Sequence, residues 1–216
     1  MAPITTDSRA RLLDAALATI RRKGYAATTV DDLCAATQLS KGSFFHHFKS
    51  KEHLALAAAQ HWNDSTGALF ASAPYQQVAD ARARLLAYID FRTALAQGEL
   101  PDISCLLGTL AQETYATHPA IREACRAGIE GHAMTLVPTI AEAKARHAPK
   151  AKWTPQSLAL FTQAALQGAF VVAKAAGDAQ AAAPLIAHLR TYVQGLLGGE
   201  PAAASPRSTP RRRPKR

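Results

Sequence analysis

The chain has little cysteine, few aromatic residues and a shortage of acidic charge. Its three cysteines, at 34, 105 and 125 of 216 residues, are odd in number and show no Cys-x-x-Cys spacing. This speaks against a disulfide scaffold or a zinc finger. Aromatics supply only 6% of residues while 48% are hydrophobic, so Ala and Leu carry most of the apolar content. With β-branched residues scarce and no strand, hairpin or repeat signal, the composition favours helix over sheet. The start, Met-Ala-Pro-Ile-Thr-Thr-Asp, lacks the apolar stretch of a signal peptide. One uncharged run, 154–173, has the length of a membrane span. Pro155, Gln156, Ser157, Thr162, Gln163, Gln167 and Gly168 within it fit a buried helix better. The expected compartment is the cytoplasm, with no membrane partner. Paired carboxylates, a nucleophile elbow and a phosphate loop are all missing. The histidines at 46, 47, 53 and 61 have no Cys or carboxylate at ligand spacing, so neither an enzyme nor a metal or other cofactor is expected.

The net charge of +9 sits at the two ends. Residues 1–50 carry a net +3, residues 51–206 balance to zero, and residues 207–216 hold six basic groups and no acid. A polyanionic partner suits the ends and has no support in the middle.

Periodicity predicts about nine helices. In the first, Leu13, Ala16, Leu17 and Ile20 share one face, Thr6 caps the start, and Asp7 suits the positive end of the dipole. Arg21, Arg22 and Lys23 load its last turn, and Gly24 ends it. Thr29-Val30-Asp31-Asp32 is a capping signature for a short second helix with Val30, Leu33 and Cys34 on one side. Ser40 caps a third with Phe44 and Phe48 inward, and Ser50 a fourth over 51–72, closed by Pro74. Further helices are expected over 77–97, 102–115, 119–147 with a kink at Pro138, 155–177 and 181–197. The last 18 residues have little to bury and are expected to be disordered.

The second and third helices make a helix-turn-helix, a geometry that places the later helix in the major groove. Lys41 and Ser43 suit base edges, Phe45 a thymine methyl, and Gly42 a close backbone approach. Thr29 and Lys51, at helix N-termini, suit phosphate. The run Ser40-Lys41-Gly42-Ser43-Phe44-Phe45-His46-His47-Phe48-Lys49-Ser50-Lys51-Glu52-His53-Leu54 closely resembles the signature of the tetracycline-repressor-like (TetR) family of bacterial regulators. The likeness reaches back through Thr28-Thr29-Val30 and Gly24-Tyr25, over about residues 9–56. It implies an all-α homodimer with an N-terminal DNA-binding domain, at 1–50, and a C-terminal ligand and dimerisation domain, at 51–198. A basic tail follows at 199–216. By position, the resemblance implies that Lys41, Gly42, Ser43 and Phe45 face bases, and Thr29, His46, His47 and Lys51 face phosphates. Members usually carry Tyr where Phe45 stands, and Asp31 places an acid where a base would help.

Farther on, Asp102-Ile103-Ser104-Cys105-Leu106-Leu107-Gly108 resembles a Cys-containing segment in one branch of that family, some members of which sense electrophiles or oxidants through the matching cysteine. Cys105 is therefore a candidate sensor, with a buried apolar role as its alternative. Candidates for a ligand pocket are His61, Trp62, Phe70, Tyr88 and Phe91, with Cys105, Tyr115, Phe161 and Phe170; aromatics at helical spacing also serve as plain core. Ala165, Gly168, Ala169 and Ala173, with Leu189, Val193 and Leu196, suggest a dimer face. The leading expectation is a homodimeric repressor of a near-palindromic double-stranded DNA operator, released by a small-molecule inducer. Its rivals are a thiol switch at Cys105, a helical enzyme, and a general DNA-coating protein driven by the tail.

Overall fold

The computed structural model describes the backbone over residues 5–198 and the side chains over 8–198. The side chains of the expected cap Thr6 and the helix-start acid Asp7, and the whole basic tail 199–216, lie outside the described residues. The architecture is all-α: α1 (Thr5–Lys23), α2 (Val30–Thr37), α3 (Lys41–His47), α4 (Lys51–Ala71), α5 (Ala81–Leu95), α6 (Leu100–Ile103), α7 (Leu106–Thr114), α8 (Pro119–Thr135), α9 (Val137–His147), α10 (Pro155–Ala176) and α11 (Ala182–Leu196). Two 3₁₀ turns, Pro74–Gln77 and Ala179–Ala181, precede α5 and α11.

Most ends are set by the residues that signal them. Gly24 closes α1 at φ +87°, a left-handed conformation that favours glycine, and a Cβ there would also displace the Glu113 carboxylate. Thr29 and Asp32 form a reciprocal capping box on α2; Ser40 and Ser50 accept from Ser43 and His53 N–H. Each such cap is worth about 1 kcal/mol. Two expected helices are each divided in two. The expected 102–115 helix breaks at Ser104–Cys105, where both residues are extended, and 119–147 breaks at Leu136, two residues ahead of Pro138. The helix expected at 77 begins at Ala81, because Asp80 caps it by accepting from Ala83 N–H.

Two apolar cores hold the molecule. One joins α1–α4 to α7 and α8, with Leu12, Leu33, Phe44, Phe48, Leu110 and Ile121 almost wholly buried. The first three helices therefore rest on the larger bundle through α4, α7 and α8. The other core gathers α5, α9, α10 and α11 around Leu85, Tyr88, Ile140, Leu166 and Val193. Burying one such side chain contributes about 1.5–3 kcal/mol. Arg84 ties α5 to α9 through Thr139 and Glu142, and Arg190 of α11 pairs with Asp90 of α5 at 2.7 Å. α10 has the length and apolarity of a membrane span, but it packs against α8, α9 and α11.

Candidate nucleic-acid interface and effector cavity

The α2–α3 unit owes its turn to Gln38, which ends α2 at φ +56°, a left-handed conformation uncommon outside glycine. Gln38 and Leu39 return their N–H groups to Ala35 and Cys34 carbonyls, and Ser40 starts α3 at once. Phe44 and Phe48 fix α3 to the core, leaving Lys41, Gly42, Phe45 and His46 exposed. Phe45 meets the Phe44 ring edge-on at 5.2 Å yet stays 55% exposed, a large apolar side chain left open to solvent. A Cβ on Gly42 would meet only Ser40 Oγ, at 3.6 Å, so nothing internal requires glycine there. Lys41 reaches back to Asp31 at 2.9 Å in an exposed pair that raises the lysine's pKa.

Three of the expected DNA contacts are engaged with the protein itself, and the side-chain oxygen of a fourth is buried. Ser43 Oγ is buried with no hydrogen-bond partner among the described residues, on the stripe it shares with His47 beside Phe44. His47 Nε2 meets Ser8 Oγ of α1 at 2.8 Å, and burial lowers the imidazole's pKa. Thr29 donates both its N–H (2.7 Å) and its hydroxyl (2.6 Å) to Asp32. That carboxylate, held well below the usual range by Lys23 and Thr29, already occupies the α2 N-terminus. Lys51 Nζ donates to the Tyr25 and Thr28 carbonyls, both at 3.0 Å, and lies 4.4 Å from the centre of the Tyr25 ring. It secures the loop after α1 in the free protein. Lys49, exposed directly after α3, is a cation the sequence reading passed over, although its place at the helix end was visible.

A cavity of about 280 Å³ lies between the two cores. Trp62, Asn63, Thr66 and Phe70 of α4 form one wall, Cys105 and Leu107 another, and Phe170 of α10 a third. Trp62, Phe70, Cys105 and Phe170 are thus brought together as expected of pocket residues. Five other candidates are not. His61 pairs with Asp14 of α1 at 3.0 Å. Phe91 stacks behind the wall on Phe70 and Tyr75, and Tyr115 stands 63% exposed at the end of α7. Phe161, 45% exposed, lies on the outer side of α10 with its ring 5.0 Å from that of Tyr192. Tyr88 is fully buried behind the cavity, where its hydroxyl meets His132 Nε2 at 3.0 Å and accepts from Gln163 Nε2 at 2.9 Å.

Arg92, His132, Gln163 and Gln167 line the cavity and were missed. Their signal was spacing: Arg92 follows Tyr88 by four residues on α5, and the two glutamines are four apart on the otherwise apolar α10. Cys105 is half-buried at the start of α7 and touches both cores. Cys125 is buried, its thiol pushed up to about 12 by desolvation. Among the described residues no cluster of His, Cys, Asp and Glu could hold a metal.

The outer face of α10 and α11 is apolar but offset from the expected stripe. Ala169, Ala173, Leu189 and Val193 are buried in the protein's own core, and Ala165 and Leu196 are half-buried, leaving Gly168 as the expected residue that is exposed. What faces outward is Leu160, Phe161, Val171 and Val172 with Leu185 and Tyr192, each 38–50% exposed.

Residues 12–58 match the family model described as bacterial regulatory proteins, tetR family, and residues 81–189 that of the tetracyclin repressor-like C-terminal domain. Transcriptional regulator AcuR of Cereibacter sphaeroides is 28% identical over 177 residues, 80% of this chain and 79% of AcuR. The uncharacterised HTH-type transcriptional regulator YerO of Bacillus subtilis is 36% identical over 56 residues, 26% of this chain and 19% of YerO. The crystal structure of a TetR transcriptional regulator from Chloroflexus aurantiacus is 30% identical with a TM-score of 0.75, covering 87% of this chain and 94% of that one. With both parts of the chain matched and α3 presenting an open face beside a C-terminal helical bundle, the chain belongs to the TetR family of DNA-binding transcriptional regulators.

Proposed function

We propose that the protein is a homodimeric repressor that leaves a near-palindromic operator when a small molecule occupies its cavity. The observation that carries this reading is the double duty of α4. Its N-terminal end follows α3 after three residues, and its later turns line the cavity through Trp62, Asn63, Thr66 and Phe70. A second link runs through Arg21 of α1, which sits 5.2 Å from the Trp62 ring centre and donates to the Asp102 carbonyl at 3.0 Å. A ligand pressing on Trp62 would thus move both helices that carry the reading head.

In this reading residues 1–50 are the DNA-reading unit and 51–198 the effector and dimer unit, acting in the cytoplasm where the operator lies. Lys41, Gly42 and Phe45 face bases, while His46 and Lys49 face phosphates. Two subunits join through the outward apolar face of α10 and α11, which spaces the recognition helices for half-sites about 34–36 Å apart. Selection of bound duplexes from a random library, then footprinting, tests the reading. It predicts an inverted repeat with one helical turn between half-site centres; recovery of random sequences would contradict it.

A second reading places the trigger on Cys105, because its sulfur lines the same cavity. A thiolate there would add to a quinone carbon, forming an S–C bond and a hydroquinone thioether, and the added bulk would displace α7. Release of DNA by a quinone from wild type and not from Cys105→Ser supports it. Equal behaviour of the two removes it.

A further inference from the structure

Arg92 is a cation without an acid. Its guanidinium lies 5.2 Å from the Phe70 ring centre and 5.8 Å from that of Phe170, and its Nη1 is 3.5 Å from Tyr88 Oη. The nearby carboxylates have other partners. Asp90, on the same helix, pairs with Arg190, and Asp102, on the cavity rim, acts electrostatically on Arg21. No ion pair to Arg92 exists among the described residues, yet the group lines an otherwise mostly apolar cavity. A half-buried guanidinium held only by ring faces and a phenol oxygen retains most of its donors for something else.

A second donor points to the same chemistry. Tyr88 Oη accepts from both Gln163 Nε2 and Arg92 Nη1, which fills its two lone pairs and leaves its own proton for His132 Nε2 at 3.0 Å. That arrangement places the histidine's hydrogen on Nδ1, which has no hydrogen-bond partner among the described residues although His132 lines the cavity. Burial, with Arg92 nearby, lowers the His132 pKa to about 4, so the ring is a neutral donor at ordinary pH. Arg92 and His132 both lie within 3.5 Å of the one phenol oxygen, which fixes two donor groups side by side.

We propose that the cavity takes a small organic carboxylate, its anionic head on Arg92 and His132 Nδ1–H and its apolar body against Trp62, Phe70, Leu107 and Phe170. Planar donors of a guanidinium match a carboxylate's two oxygens, and the aromatic faces accept a flat or short aliphatic body. A volume of about 280 Å³ lies at the small end of ligand pockets, which run from roughly 300 to 1,000 Å³, and suits a small molecule. The proposal rests on the reading of this cavity as the effector site.

The test uses the full chain and paired probes: a series of aliphatic and aromatic monocarboxylates, including hexanoate and benzoate, against hexanamide and benzamide. Calorimetry measures binding, and a labelled operator duplex measures release, for wild type, Arg92→Lys and Arg92→Met. The expected result is that at least one acid binds wild type about ten- to a hundredfold more tightly than its amide. Arg92→Met should lose that preference while still binding the amide, which also shows that its cavity remains folded. Arg92→Lys should keep part of it. Acids that bind no better than amides to wild type and variant alike would overturn the proposal and leave the effector reading intact. Failure of every acid to bind also overturns it. An acid that binds through Arg92 yet leaves operator affinity unchanged would support the anion site and remove the effector reading.

Discussion

At the scale of single residues, the sharpest test falls on Gly42. Glycine inside a helix costs about 0.5–1 kcal/mol relative to alanine, and no internal contact requires it here. Gly42→Ala should therefore raise the unfolding free energy by up to about 1 kcal/mol while weakening operator binding at least about tenfold. Urea unfolding and fluorescence anisotropy measure the two effects, and a variant that gains stability with no loss of affinity would place Gly42 away from DNA. His132 gives a second. Its folded pKa of about 4 lies below the unfolded value of 6.5, so the unfolded chain takes up the proton first as pH falls. The stabilisation is complete above about pH 6.5 and is lost between there and pH 4, amounting to roughly 3 kcal/mol. Unfolding curves at pH 7 and 5 should show a smaller loss for His132→Asn than for wild type; parallel losses would contradict the assignment. Residue type and cap position were legible at Lys41, Gly42 and Phe45, but partner choice was not. In the free protein Lys51 meets carbonyls 23 and 26 residues upstream, which only the fold brings within reach, and Thr29 meets Asp32.

At the scale of elements, caps and periodicity located α1 to α4, since each carries its own Ser, Thr or Gly at the boundary. The break at Leu136 was marked by Pro138, whereas the one at Ser104–Cys105 was not foreseen, since Cys105 heads its helix without a side-chain cap. The dimer face shows the same limit. Sequence identifies α10 and α11 as apolar on several sides, but which side meets the partner depends on which side α5, α8 and α9 have already covered. Val172→Glu, on the outward face, should yield a folded monomer by light scattering with an unchanged helical spectrum. Ala173→Glu, one residue away and fully buried, should instead unfold the chain, because an unpaired buried charge costs several kcal/mol. A dimeric Val172→Glu would mean that the subunits join elsewhere.

At the scale of the whole molecule, the proposed function makes the cavity between the cores the link between recognition and chemistry. Its walls come from α4 to α8 and from α10, and filling it would bear on the helix that follows α3. The rival of a general DNA-coating protein differs in one quantity, the ratio of affinities for cognate and random sequence. Electrostatic contacts alone bind all duplexes alike and weaken together as salt rises. The base readout proposed for Lys41, Gly42 and Phe45 would separate them. The decisive measurement is therefore an anisotropy titration of the selected operator and a scrambled duplex of equal length, at one physiological salt concentration. The account predicts at least about a thousandfold preference for the operator, with two protomers bound per site. Equal affinity for the two duplexes would contradict it.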